Sequence, residues 1–149
     1  MRYFVDCEFD GHAGPLLSIA LVREDGASIH VRTLEAAKDP WVIQNVETVM
    51  DAHWGQGATN ALCELNQVGA NLRLFIDEDN APEFVADSPV DIGRLCRALT
   101  TSKNGGWQSC GYSSMSFRVE NVDCYPTALV GAVQHNAWWD AMALRAKMQ

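Results

Sequence analysis

Hydrophobic and polar positions along the chain fall into short blocks of two kinds. In the first third, "RYFVDCEF" (2–9) is dense in aromatic and β-branched residues, "LLSIALV" (16–22) is an apolar run ending at the turn signal "REDG", and "SIHVRT" (28–33) alternates apolar with polar. Each is the pattern of a strand. Together they predict a hairpin succession, with the "EDG" turn making the second and third antiparallel. Farther along, "DPWVIQNVETVM" and "HWGQGAT" predict a short helix and a loop carrying Trp41, His53 and Trp54. Leu62, Leu65, Val68, Leu72 and Phe75 recur every three or four residues, which predicts one amphipathic helix over 59–76.

The second half alternates strand and helix signals. "EFVAD" (83–87) predicts a short strand, and Ser88-Pro89 opens a helix whose face is Ile92, Leu95, Cys96 and Leu99. "TTSKNGGWQSCGYSSM" has the composition of a loop, and "SFRVENVDC" is a weaker strand candidate. "HNAWWDAMALRAKM" closes the chain as a helix, with Ala137, Ala141, Leu144 and Met148 on one stripe and Arg145 and Lys147 suited to its C-terminus. Strands first, then helices alternating with strands, predict an α/β fold: a mixed β-sheet flanked by helices.

Composition narrows the classes. At 149 residues and 48% hydrophobic content, the chain fits one domain whose core needs neither disulfides nor a structural metal. No run approaches the roughly 18 apolar residues of a membrane span, and "MRYFVDCEFD" lacks a secretory apolar run, so the expected location is cytoplasmic with no membrane partner. Five cysteines (Cys7, Cys63, Cys96, Cys110, Cys124) are scattered without a C-x-x-C pair, which fits small buried hydrophobes rather than a disulfide or zinc framework. With 11 basic against 19 acidic residues, the net charge of −8 argues against a broad nucleic-acid-binding face. Any nucleic-acid chemistry must therefore be local and metal-assisted.

Acid stands where the patterns want core. Asp6 and Glu8 are two apart on the first strand, so they share one face about 7 Å apart along the backbone. Such a pair, if buried, needs a cation or a raised pKa; on a wet edge strand it needs neither. Asp91 begins the helix after "EFVAD", where the helix N-terminus favours its charge, and Asp87 is the alternative at the strand end. Asp140 lies beside the apolar stripe of the closing helix and needs a partner there. His135, five residues earlier, would be turned roughly 140° from Asp140 in a regular helix, which places it on the loop ahead, where an imidazole suits a general base for water.

In combination, "FVDCEF", "VADSPVDIGRL" and "HNAWWDAMAL" resemble, in order and over nearly the whole chain, the three motifs of the DEDD superfamily of 3′-to-5′ exonucleases. The matching branch is DEDDh, whose last motif commonly reads His-x-Ala-x-x-Asp-Ala, as His135, Ala137, Asp140 and Ala141 do here. The length and the start "RYFVDCEF" are most similar to the small ribonuclease T-like exoribonucleases. The chain departs from the pattern at Asp87, where many members carry a His-Asn type pair, and at the bulky Trp138 and Trp139.

The resemblance implies a ribonuclease H-like fold and cleavage of single-stranded RNA or DNA from the 3′ end. It implies two Mg²⁺ or Mn²⁺ ions as cofactors, held by Asp6, Glu8, Asp91 and Asp140, with His135 taking the proton of the attacking water. Two hard divalent ions about 3.5–4 Å apart suit such an all-carboxylate ligand set. Phe9 is the candidate to stack on the terminal base, and Arg97 and Lys103, with Arg94, are the phosphate candidates. An exposed Trp138–Trp139 pair would favour a homodimer. A noncatalytic interaction module on the same fold is the competing expectation.

Overall fold

A computed structural model describes residues 1–53, 57–122 and 129–149. Trp54, Cys124 and the end of the "SFRVENVDC" segment lie outside the described residues. Six strands form one mixed sheet in the order β4-β3-β2-β1-β5-β6. They are β1 (Arg2–Phe9), β2 (Leu16–Arg23), β3 (Ser28–Thr33), β4 (Thr59–Cys63), β5 (Glu83–Ala86) and β6 (Ser116–Val119). Strands β1, β2 and β3 are antiparallel neighbours, whereas β3–β4, β1–β5 and β5–β6 pair in parallel. The helices are α1 (Pro40–Val42), which runs on into a π-helical turn Ile43–Glu47, α2 (Val68–Ile76), α3 (Pro89–Leu99) and α4 (Ala137–Lys147). No helix among the described residues is long and apolar enough to cross a membrane.

Strand alternation divides the core. Tyr3, Val5 and Cys7 of β1 enter a cluster with Val68 and Leu72 of α2 and Leu95 and Leu99 of α3. Phe4, between them, enters a cluster on the other face with Ala137, Trp138, Ala141 and Leu144 of α4. With helices on both faces, β2 is buried at every residue but its last, which is why it is a continuous apolar run rather than an alternating one. Gly26, at φ +96°, takes the left-handed position of the predicted "EDG" turn. Pairing between β1 and β2 slips once: Glu8 faces Ser18 but Phe9 faces Leu16, so Leu17 is the extra residue of a bulge. Leu16 joins the α2–α3 core, while Leu17 anchors a third cluster with Val42, Val46 and Met50.

The helix expected over 59–76 is the one element the structure redraws. Residues Thr59–Cys63 pair in parallel with β3 from Ile29↔Thr59 to Thr33↔Cys63, and a 3₁₀ turn, Leu65–Gln67, then leads into α2. Sheet hydrogen bonding claims the first five residues, and the Glu64–Gln67 capping box restarts the chain as helix. Of the apolar stripe, Val68 and Leu72 are buried and Leu62 and Leu65 are exposed. The Trp138–Trp139 pair is likewise not an exposed patch: each is 5% exposed, so the expected argument for a homodimer falls away. Cys7 and Cys63 are buried and Cys96 and Cys110 partly so, all four free.

Candidate metal centre

After β1 the chain builds outward through β2, β3 and β4, then returns to pair β5 against the other side of β1. The carboxyl ends of the parallel neighbours β1 and β5 therefore lie together at a switch of direction, the place where open α/β sheets leave a crevice for ligands. Asp6 and Glu8 sit in the second half of β1, on the same face as Phe4. Asp87 follows β5 directly. Ser88 then caps α3 by accepting the Val90 N–H at 3.1 Å, with Pro89 in the first turn, and this start sets Asp91 in the N-terminal turn of the helix. From the other face, the first turn of α4 supplies Asp140.

These residues converge as two triads that share Asp6. Carboxylate oxygens of Asp6, Asp87 and Asp91 lie within 4.8 Å of one another, and so do those of Asp6, Glu8 and Asp140. The structure thus brings together all four carboxylates expected from the sequence, and it adds Asp87 beside Asp91 rather than in place of it. They line an open cleft of about 390 Å³, and no lysine or arginine is among the described residues that line it.

Electrostatics follows from that geometry. Burial raises every member of the cluster, and repulsion between carboxylates raises Asp6, Glu8, Asp91 and Asp140 further. Asp6 is pushed well above the usual carboxylate range, first by burial and then by Asp91, Glu8, Asp140 and Asp87. Glu8 rises to about 8 through burial and the charges of Asp140 and Asp91. Asp91 reaches about 7 through burial and Asp87, against a downward pull from the Cys7 backbone and Arg94. Asp140 also reaches about 7 through burial, opposed by the backbone N–H groups of Asn136 and His135. Asp87 is raised by burial. A cluster of hard oxygen donors, with no lysine or arginine among the described residues that line its cleft, could hold a metal ion.

His135 lines the same cleft, outside α4 as expected. Its φ of +59° is left-handed, uncommon for a residue with a Cβ, and its ring meets Trp41 edge-on at 5.1 Å between centroids. Phe9 also lines the cleft, with the Arg94 guanidinium 4.6 Å from its ring centroid. Arg94 is engaged in holding the loop after β1, donating to the Gly14 and His12 carbonyls at 2.6 and 2.9 Å. Arg97 and Lys103 are exposed and outside the carboxylate cleft. Arg97 lines a neighbouring depression with Arg94, and the Lys103 carbonyl accepts from Asn66 Nδ2 at 2.6 Å.

Asn136 is the residue that sequence reading passes over. It is fully buried and its side chain accepts from the N–H groups of Trp138 and Trp139, capping α4. An Asn immediately before an apolar helical stripe is the signal that marks it. No family model matches the chain, and no curated protein matches it either.

Proposed function

We propose that the protein is a metal-dependent 3′-to-5′ exonuclease of ribonuclease H-like architecture that hydrolyses single-stranded RNA or short oligonucleotides. The observation that carries this reading is the pair of carboxylate triads sharing Asp6, with His135 in the same cleft. The mixed sheet with its cleft at the β1–β5 switch supports the architecture.

Asp6, Glu8, Asp91 and Asp140, with Asp87, would hold two Mg²⁺ or Mn²⁺ ions. Bound there, the ions supply positive charge at the scissile phosphodiester and favour ionisation of water. The chain's own residues supply the rest. His135, at the cleft wall but outside both triads, accepts the proton of the attacking water on a ring nitrogen. Phe9, backed by the Arg94 guanidinium and lining the cleft, stacks on the terminal base. Arg97, in the adjoining depression, faces the phosphates upstream of the scissile bond.

A 5′-labelled single strand incubated with Mn²⁺ should shorten stepwise from its 3′ end and remain intact in EDTA. Asp140→Asn should lower the rate roughly 10²-fold or more, and His135→Ala roughly 10²–10⁴-fold. Shortening in EDTA, or full activity in Asp140→Asn, would overturn the reading and favour a noncatalytic module. Matched RNA and DNA strands in the same assay report which sugar is preferred.

A further inference from the structure

The first turn of α4 carries Asp140 and follows directly from His135, so where that turn sits decides whether base and carboxylates face the same point. Its position has to be fixed in two ways: along the helix axis, by satisfying the first N–H groups, and sideways, by attachment to neighbouring structure. Asn136 does both with one side chain. Oδ1 accepts from the N–H groups of Trp138 and Trp139 at 3.1 and 3.2 Å. Nδ2 donates to the carbonyls of Val49 and Met50, at 2.8 and 3.1 Å.

Its backbone reaches the site itself. The Asn136 N–H lies 3.3 Å from Asp140 Oδ2, and the Asn136 carbonyl accepts the Asp140 N–H at 3.0 Å. The segment that supplies the two carbonyls is also the one that positions His135 from the side. It begins at Trp41, whose ring meets His135, and it is anchored through Val42, Val46 and Met50 on Leu17. A left-handed His135 stands between the Trp41 ring and the pinned Asn136.

We propose that Asn136 is a positioning residue: its amide donor couples the first turn of α4 to the segment 41–50, and this coupling, beyond the helix cap, sets His135 against Asp140. The proposal rests on the exonuclease reading for its catalytic consequence and on the hydrogen bonds alone for its structural one. The cap and the coupling separate chemically. Aspartate caps helices well, yet its carboxylate offers no donor to the Val49 and Met50 carbonyls, and serine caps with a shorter side chain whose hydroxyl has one hydrogen in place of the amide's two.

The experiment compares wild type with Asn136→Ser and Asn136→Asp in three measurements: exonuclease kinetics on a single strand with Mn²⁺, thermal unfolding, and amide hydrogen exchange. Both variants should unfold below wild type, since they orphan buried carbonyls, yet remain fully folded at the assay temperature. kcat should fall roughly 10²-fold, the effect of a small misplacement of reacting groups, with KM within about twofold because substrate contacts are untouched. Exchange at the Val49 and Ala52 amides, more than 80 residues away in sequence, should accelerate in both variants. A kcat within twofold of wild type in a folded variant would overturn the proposal, as would a loss that merely tracks the folded fraction. If wild type itself cleaves nothing, the exonuclease reading fails, and exchange decides the coupling alone: faster at Val49 and Ala52 supports it, unchanged overturns it.

Discussion

The Asn136 amide also dictates where protons sit on its neighbours. With Oδ1 committed to two helix N–H groups, the group 3.3 Å from His53 Nδ1 is Nδ2, whose two hydrogens already serve the Val49 and Met50 carbonyls, so Nδ1 can take only a shared hydrogen and carries no proton of its own. The other side of the ring agrees: Asn60 uses Nδ2 on the Ala58 carbonyl, which turns its Oδ1 toward His53 Nε2 at 3.1 Å and requires a proton there. His30 Nδ1, 2.9 Å from the same Nε2, is then an acceptor, and the His30 proton lies on Nε2, buried without a partner among the described residues. Both rings are held neutral, His53 lowered mainly by burial and His30 to about 3 by burial and the facing His53. Nitrogen-15 spectra should show both as neutral Nε2–H tautomers at pH 7, with His30 still neutral at pH 5. Because the unfolded chain binds these protons and the native one does not, their contribution to stability is intact above the unfolded histidine pKa of about 6.5 and is lost as pH falls below it.

At the level of elements, the approach of α2 to α3 turns on Gly69. A Cβ built there would lie 2.0 Å from the Ala98 carbonyl oxygen, so any side chain must push the two helices apart. Gly69→Ala should destabilise the protein by about 1–3 kcal/mol despite its better helix propensity, read as a lower denaturation midpoint. Strands β1 to β3, α3 and α4 were legible because their signals are local: alternation, a Ser-Pro start, and an apolar stripe with basic residues at its end. Strand β4 was not, since Thr59–Cys63 becomes strand only by pairing with β3, some thirty residues earlier, while Leu62 and Leu65 happen to continue the helical spacing of α2. The faces of the carboxylates followed from period two and from helix starts, whereas their gathering into one ligand set was implied by the motif resemblance. Asp87 as a partner of Asp91, and Asn136 as a link to segment 41–50, depend on contacts that no local pattern encodes.

For the molecule as a whole, the carboxylate cluster and the histidine pair push stability in opposite directions with pH. The cluster's folded pKa values are raised, to about 8 for Glu8 and about 7 for Asp91 and Asp140. Its contribution is therefore present below the unfolded carboxylate range and is lost as pH rises through about 7 to 8. Metal-free protein should show a falling Tm between about pH 6.5 and 8, above the range in which the histidine pair opposes it. Added Mn²⁺ should raise Tm strongly at pH 8 and little at pH 5, where protons occupy the same oxygens. A Tm indifferent to Mn²⁺ at pH 8 would count against the metal centre.

The bulge at Leu17 gives this architecture an uneven tolerance to change in length. Removing that one residue would leave Phe9 opposite Leu16 and Glu8 opposite Ser18, so the ladder between β1 and β2 would close into regular pairing with no side chain turned to the wrong face. What would vanish is the side chain on which Val42, Val46 and Met50 rest. A single-codon deletion there should yield a protein with its sheet intact and its 41–50 segment unmoored. In lineages of this fold, gain and loss of that segment should track the presence of one inserted residue in the second strand.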